Sequence, residues 1–313
     1  MFQKNNGESR LFIRTLLHLI SILQPNDTCL TPIHADFLQV CISGQMYRMG
    51  YELVKNFLVL EIDVEKTCIM SSDLLKYFYY AGICCIGMRD YDAALENFMQ
   101  IFSIPGHNLS AITVAAYKKA ALVAVLANGK KLDPPRYASS TVSRARKNCK
   151  DYDEVVRKFT EEKNLDELLK YIDEHETTFT KDGNLGLVKR FENAFVRHQL
   201  KILSSTYITL SINDIGKRVG ARSAVEVKSW LMRLSSKGEI DVCIDPDSEM
   251  VHFNKTRDSP NQINMKQIEE YLEEVSEVSN RARQLYCDII VSPRYISKTS
   301  GSKSTSSNYD DGI

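Results

Sequence analysis

Histidine, cysteine and neighbouring carboxylates are the residues that could do chemistry in this chain, and their spacing forms no familiar catalytic or metal-binding set. The histidines stand at 18, 34, 107, 175, 198 and 252. No two make the His-x-His pair of a zinc isopeptidase or the HExxH of a metalloprotease, spacings that bring two imidazoles to one ion. His252, between Val251 and Phe253, reads as an outward strand residue, and His34, two residues after Pro32, as part of a helix's first turn. The cysteines at 29, 41, 68, 84, 85, 149, 243 and 287 contain no CxxC and no histidine at zinc spacing. Cys84 and Cys85 lie in an apolar run and read as two small core residues. Glu161-Glu162 and Glu273-Glu274 belong to solvated helix faces, and GxxxxGK, GxGxxG and GxSxG are all missing. The expectation is that no residue is catalytic, cofactor-binding or metal-binding, which leaves an enzyme as the weakest class.

Composition narrows the remaining classes. Forty Lys and Arg balance forty Asp and Glu over 313 residues, whereas a dedicated nucleic-acid binder is usually basic. The apolar run Leu11 to Leu23 is interrupted by Arg14 and His18 and has no small-residue cleavage site after it, so it reads as an amphipathic helix and not a signal peptide. No stretch is read as reaching the length of a membrane span. Free thiols suit a reducing compartment, and a soluble, intracellular protein is expected.

The elements that would position any site fall into two textures. Residues 1 to about 180 carry helical periodicity with short breaks. In "TPIHADF", Thr31 is the N-cap and Pro32 the first helical residue. "YFYYAGICCIGMRDYDAALENFMQIFSIP" pairs two helices across Gly87 to Asp90. There Gly82, Ala94 and Phe98 take the small, small and aromatic offsets of tetratricopeptide repeats, with Pro105 one residue short of the closing proline. "YKKAALVAVLANGK" is another helix, stopped at Asn128-Gly129. The cations from Arg136 to Lys150 have no interleaved aromatic after Tyr137 and read as a solvated face. After the turn at Asp182 to Asn184, one long helix is expected to about Ser204.

From Tyr207 the order becomes short strand, helix, helix, hairpin, which is a winged helix. Ser211 and Ser223 are helix caps, and Val227, Trp230, Leu231 and Leu234 form one stripe of the second helix. In "KGEIDVCIDPDSEMVHF", Ile240, Val242 and Ile244 alternate with Asp241 and Cys243, Asp245 to Ser248 make a turn, and Val251 and Phe253 return. Between Tyr207 and Phe253 six cations face seven anions, and the hairpin itself holds Glu239, Asp241, Asp245, Asp247 and Glu249. Phosphate contacts supply most of a DNA wing's affinity, so this wing would repel nucleic acid. Its exposed edge, Glu239 to Ile244 or Met250 to Phe253, could instead accept a neighbour's strand. Beyond a linker with Pro260, Ile268, Leu272, Val275, Ser279, Ala282, Leu285 and Ile289 keep near-heptad spacing. The apolar members would pack on partner helices or fold back on their own domain. The Ser-rich tail from Ser292 is expected to be disordered, with Ser307, three residues before Asp310, a candidate acidophilic kinase site.

Helical repeats, a winged helix and a long terminal helix resemble the PCI family of scaffold subunits. "TPIHADF", "YFYYAGICCIGMRDYDAALENF", "YKKAALVAVLANGK", "TTFTKDGNLGLVK" and "GEIDVCIDPDSEMVHF" resemble stretches of the COP9 signalosome subunit 3 branch of that family, from about Pro25 to Pro293. The resemblance implies a mostly α protein: a right-handed, tetratricopeptide-like array at 1–180, a winged-helix part at 181–253, a linker and bundle helix at 254–291, and the tail at 292–313. The chain is expected to begin inside the family's N-terminal helical region. The implied function is non-catalytic scaffolding of the complex that removes the ubiquitin-like modifier NEDD8 from cullin-RING ligases, in the cytoplasm and nucleus. Implied neighbours are the PCI subunits 1 and 8, with no cofactor, nucleic acid or membrane. Glu239, Ile240, Val242, Ile244, Met250, Val251 and Phe253 would form a contact between PCI domains, and Ile268, Leu272, Val275, Leu285 and Ile289 a helical bundle. A proteasome-lid subunit is the near alternative, and a nucleic-acid-binding winged helix the more distant one.

Overall fold

Local signals set the first helices of the computed structural model, which describes residues 6–298 apart from 27, 60–61, 107, 163, 222, 246–248, 255–264 and 294. Helix α1 (Asn6–Leu23) buries Ile13 and Ile20, seven residues apart on one side. Helix α2 (Pro32–Ser43) starts at an extended Thr31 with Pro32 at its first position. His34 completes the cap. Its Nδ1 lies 2.8 Å from the Thr31 hydroxyl and accepts the Thr31 N–H at 3.2 Å, while the ring stacks on Phe57 and meets the edge of Tyr77.

That position makes the protein acid-sensitive. Burial lowers the His34 pKa to about 4, an effect the nearby Thr31 carbonyl only partly offsets. An unfolded-chain histidine titrates near 6.5, so below that pH protons favour the unfolded state. Stability from this group is complete above pH 6.5 and declines as pH falls toward 4, by up to about 3 kcal/mol. Urea midpoints measured from pH 7.5 to 4 should show that slope, and His34→Gln should flatten it. A variant with the wild-type slope would assign the effect to other groups.

Helices α3 (Tyr47–Asn56), α4 (Val64–Thr67) and α5 (Ser71–Met88) complete the first core, where Phe37, Leu38, Tyr77 and Cys84 are buried. The α5–α6 hairpin has the small, small, aromatic arrangement read from the sequence. A Cβ on Gly82 would stand 2.5 Å from the Phe98 ring, and Ala94 and Phe98 of α6 (Tyr91–Ser103) are fully buried. Cys84 and Cys85 are core residues whose thiol pKa values burial pushes up to about 12.

Helix α7 (Ala111–Asn128) stops at Gly129, whose φ is +64°. It corrects one expectation, because it is long and apolar enough to match a membrane span. It is apolar on most sides because it is the array's central helix, packed by α6, by α8 (Ser140–Lys147), and by α9 (Lys150–Arg157), which runs into a π-turn at Lys158–Glu162. Helices α10 (Leu165–Glu174), α11 (Glu176–Lys181) and α12 (Leu185–Val188) follow. The single helix expected to Ser204 is divided. The Arg190 N–H turns back three residues to the Leu187 carbonyl, and α13 (Phe191–Thr206) begins after it.

Helix α13 joins two cores. Phe191 and Phe195 belong to the core of the array, whereas Val196, Leu200 and Leu203 belong to the core of the winged helix. The latter contains β1 (Thr209–Ser211), α14 (Ile212–Val219), α15 (Ala224–Ser236), β2 (Asp241–Ile244) and β3 (Met250–Asn254), with the antiparallel order β1-β3-β2. Ser211 and Ser223 accept backbone N–H groups as helix caps. Helix α16 (Met265–Val291) belongs to a second unit of the chain. Residues 295–298 add another helical turn, so regular structure continues past Ser292.

Candidate subunit interface

The strand register decides which backbone groups a partner could reach. Asp245 N–H donates to the Met250 carbonyl, which makes 245/250 a hydrogen-bonded pair. Counting along the register, Cys243/His252 and Asp241/Asn254 are then bonded pairs, and Val242 and Ile244 turn their N–H and C=O groups away from β3. On the other side, Ile212 N–H to the Glu249 carbonyl and Phe253 N–H to the Ile208 carbonyl fix β1 against β3. Strand β3 is therefore central. Met250, Val251 and Phe253 cannot supply the open edge, a correction that follows from β1 occupying their second side. The free edge of the hairpin is β2.

Side chains divide differently from backbone. Ile240, Val251 and Phe253 are buried in the winged-helix core, and Val242 and Ile244 are half-buried against it. They shape the sheet and are not a surface. Asp241, Cys243 and His252 face outward. Glu239 is not a free wing acid either. It bonds Arg197, and Lys201 at 2.9 Å, which clamps the hairpin to α13. Burial raises its pKa, but those two cations outweigh burial and hold the carboxyl below its usual range.

On α16, Ile268, Leu272, Val275, Leu285 and Ile289 are all exposed, Leu272 by 63% and Val275 by 65%. Tyr271, Val278 and Tyr286 are exposed too and broaden the stripe. Tyr286 fits the alternating four-and-three spacing better than Leu285, and that spacing is the signal that could have found it. Ser279 and Ala282 at mid-stripe leave room for close approach by another helix. Ser307 lies outside the described residues.

The segment "DGNLGLVK" has a positional role. Asp182 accepts from Lys118 and from the Tyr152 hydroxyl at 2.7 Å each, and buried Asn184 bonds Lys119 and Tyr152. These bonds pin the α11–α12 turn to α7 and α9, and so fix where α13 starts. Among the described residues, no three His, Cys, Asp or Glu gather where they could hold a metal ion.

Comparison with known proteins matches two successive parts of the chain. A family model for the N-terminal helical repeats of COP9 signalosome complex subunit 3 matches residues 5–142, and the PCI domain model matches 163–255. COP9 signalosome complex subunit 3 of Dictyostelium discoideum is 31% identical over 303 residues, which cover 96% of this chain and 72% of that protein. The Arabidopsis thaliana protein of the same name is 30% identical over 249 residues, covering 79% of this chain and 56% of that one. The chain thus spans little more than half of the plant relative.

Proposed function

Because the chain belongs to the COP9 signalosome subunit 3 family, we propose that it is a non-catalytic scaffold subunit of the signalosome, built in through its winged helix and terminal helix. The observation that carries this reading is the exposed apolar stripe of α16, since a helix with one unburied seam is completed by other helices. The residue divisions 1–180, 181–253, 254–291 and 292–313 then serve as array, PCI wing, linker with bundle helix, and tail. Its neighbours in this reading are other signalosome subunits, with PCI subunits 1 and 8 nearest. It supports removal of NEDD8 from cullin-RING ligases without supplying the catalytic group, in cytoplasm and nucleus.

Intact-complex mass spectrometry of material purified on the tagged chain tests the assignment. Signalosome subunits at unit stoichiometry are expected, and proteasome-lid subunits in their place would refute it.

A sharper variant tests the β2 edge. Val242→Pro removes an N–H that faces outward, so it should lower recovery of a PCI neighbour severalfold with little change in Tm. Cys243→Pro removes an internal ladder bond and should destabilise the wing itself. Full recovery with Val242→Pro would show that strands do not add at β2.

A further inference from the structure

Five cations converge on a groove of about 470 Å3 between the array and the winged helix: Arg89, Arg190, Arg197, Arg233 and Lys237, with no carboxylate in the lining. Glu239 neutralises Arg197. The other four have no acid at ion-pair distance among the described residues. Arg190 donates to the Tyr91 hydroxyl at 2.8 Å and Arg233 to the Asn193 amide oxygen at 3.4 Å, while Arg89 and Lys237 make no side-chain bond there. Like charges held in a concave wall repel one another and concentrate their field outward.

Helix-end stabilisation explains part of this cluster and fails for the rest. Arg233 and Lys237 sit at the C-terminal end of α15, where the dipole favours cations. Arg190 is instead the N-cap of α13, the end where a cation is unfavourable. Arg89 has φ +66°, a left-handed backbone that glycine or asparagine adopts more easily. At both positions the local backbone and helix-dipole preferences favour another residue.

We propose that this groove binds an acidic segment of a partner protein, with its carboxylates on Arg89, Arg190, Arg233 and Lys237. Guanidinium forks suit carboxylates, and half-buried Tyr91 and Ala194 give the groove apolar ground for the segment's aliphatic atoms. A nucleic-acid strand fits less well, because the hairpin that follows Lys237 in the chain bears Asp241, Asp245 and Glu249, which repel phosphates. The inference stands on the groove alone and does not depend on which complex holds the chain.

Fluorescence anisotropy of labelled hexaglutamate with the full chain tests it. Arg190→Ala combined with Arg233→Ala should weaken binding about tenfold. Lys237→Glu, at an exposed site without internal partners, should weaken it as well and keeps the test decisive if the double variant misfolds. Arg89→Gly should weaken binding while raising Tm, two effects of opposite sense that a purely structural role would not produce together. In the assembled complex, carbodiimide should couple Lys237 to a carboxylate of another subunit. Unchanged hexaglutamate binding in the variants would overturn the proposal. So would coupling of Lys237 to its own chain alone, or tighter binding of a twelve-nucleotide DNA that the same substitutions abolish.

Discussion

Replacing Leu272 and Val275 with aspartate is expected to remove the chain from its complex while leaving its own Tm unchanged. Both side chains are nearly two-thirds exposed, so a charge there costs the isolated chain little. In a helical bundle each would be buried, a contribution of roughly 1.5–3 kcal/mol apiece. The substitution loses that burial and also places two carboxylates in an apolar seam. The combined loss should be on the order of 5 kcal/mol or more, a thousandfold or greater weakening of association. Glu277→Lys, on the opposite side of α16, is the control and should leave recovery unchanged. Co-purification with quantified subunits measures both. If partners are recovered normally, the seam is not the bundle contact; if instead the isolated variant melts earlier, the helix packs on its own chain.

The second large effect concerns the interior of the array. Phe98→Ala should destabilise residues 6–254 by about 3–5 kcal/mol, because the ring is fully buried and fills the space left by the missing side chain of Gly82. At this size the Tm should fall by about 10 °C. The pair is also testable as a unit. Gly82→Ala pushes a methyl into the ring and should cost about 1–3 kcal/mol. Shortening the ring with Phe98→Leu makes room for that methyl, so the double variant should be less destabilised than the sum of the two singles. Urea unfolding of the four proteins gives the comparison. Strict additivity would mean that α5 and α6 approach closely for some other reason.

Gly82, Ala94 and Phe98 were legible in the sequence because helical periodicity records which residues share a face, and a small residue opposite a large one records how near two helices come. The order of the winged helix was legible for a similar reason, since Ser211 and Ser223 mark helix starts and Ile240, Val242 and Ile244 mark a strand face. Edge and centre were not. An alternating pattern says which side chains point inward, but whether β3 has one neighbour or two depends on Thr209–Ser211, some forty residues away. Helix α7 was legible as a helix of the array, but not that it reaches the length and apolarity of a membrane span, since a core helix and a membrane helix share a composition. Polar joints such as Lys118–Asp182 and Lys119–Asn184 link residues 64 and 65 positions apart and leave no periodic trace. The basic groove was hidden most completely, since its cations come from three distant segments of a chain whose net charge is zero.

Helix α13, with its first turns in one core and its last turns in the other, makes the wing and the array mechanically a single lever. Its sixteen residues span about 24 Å. A tilt of roughly 5° at the Phe191–Phe195 end therefore carries the far end about 2 Å sideways, several times the roughly 0.5 Å range over which a strand-to-strand hydrogen bond holds. If a neighbour docks at β2 as proposed, docking and deformation of the repeats are linked through leverage, and tension along the array would be felt as misalignment at the sheet edge.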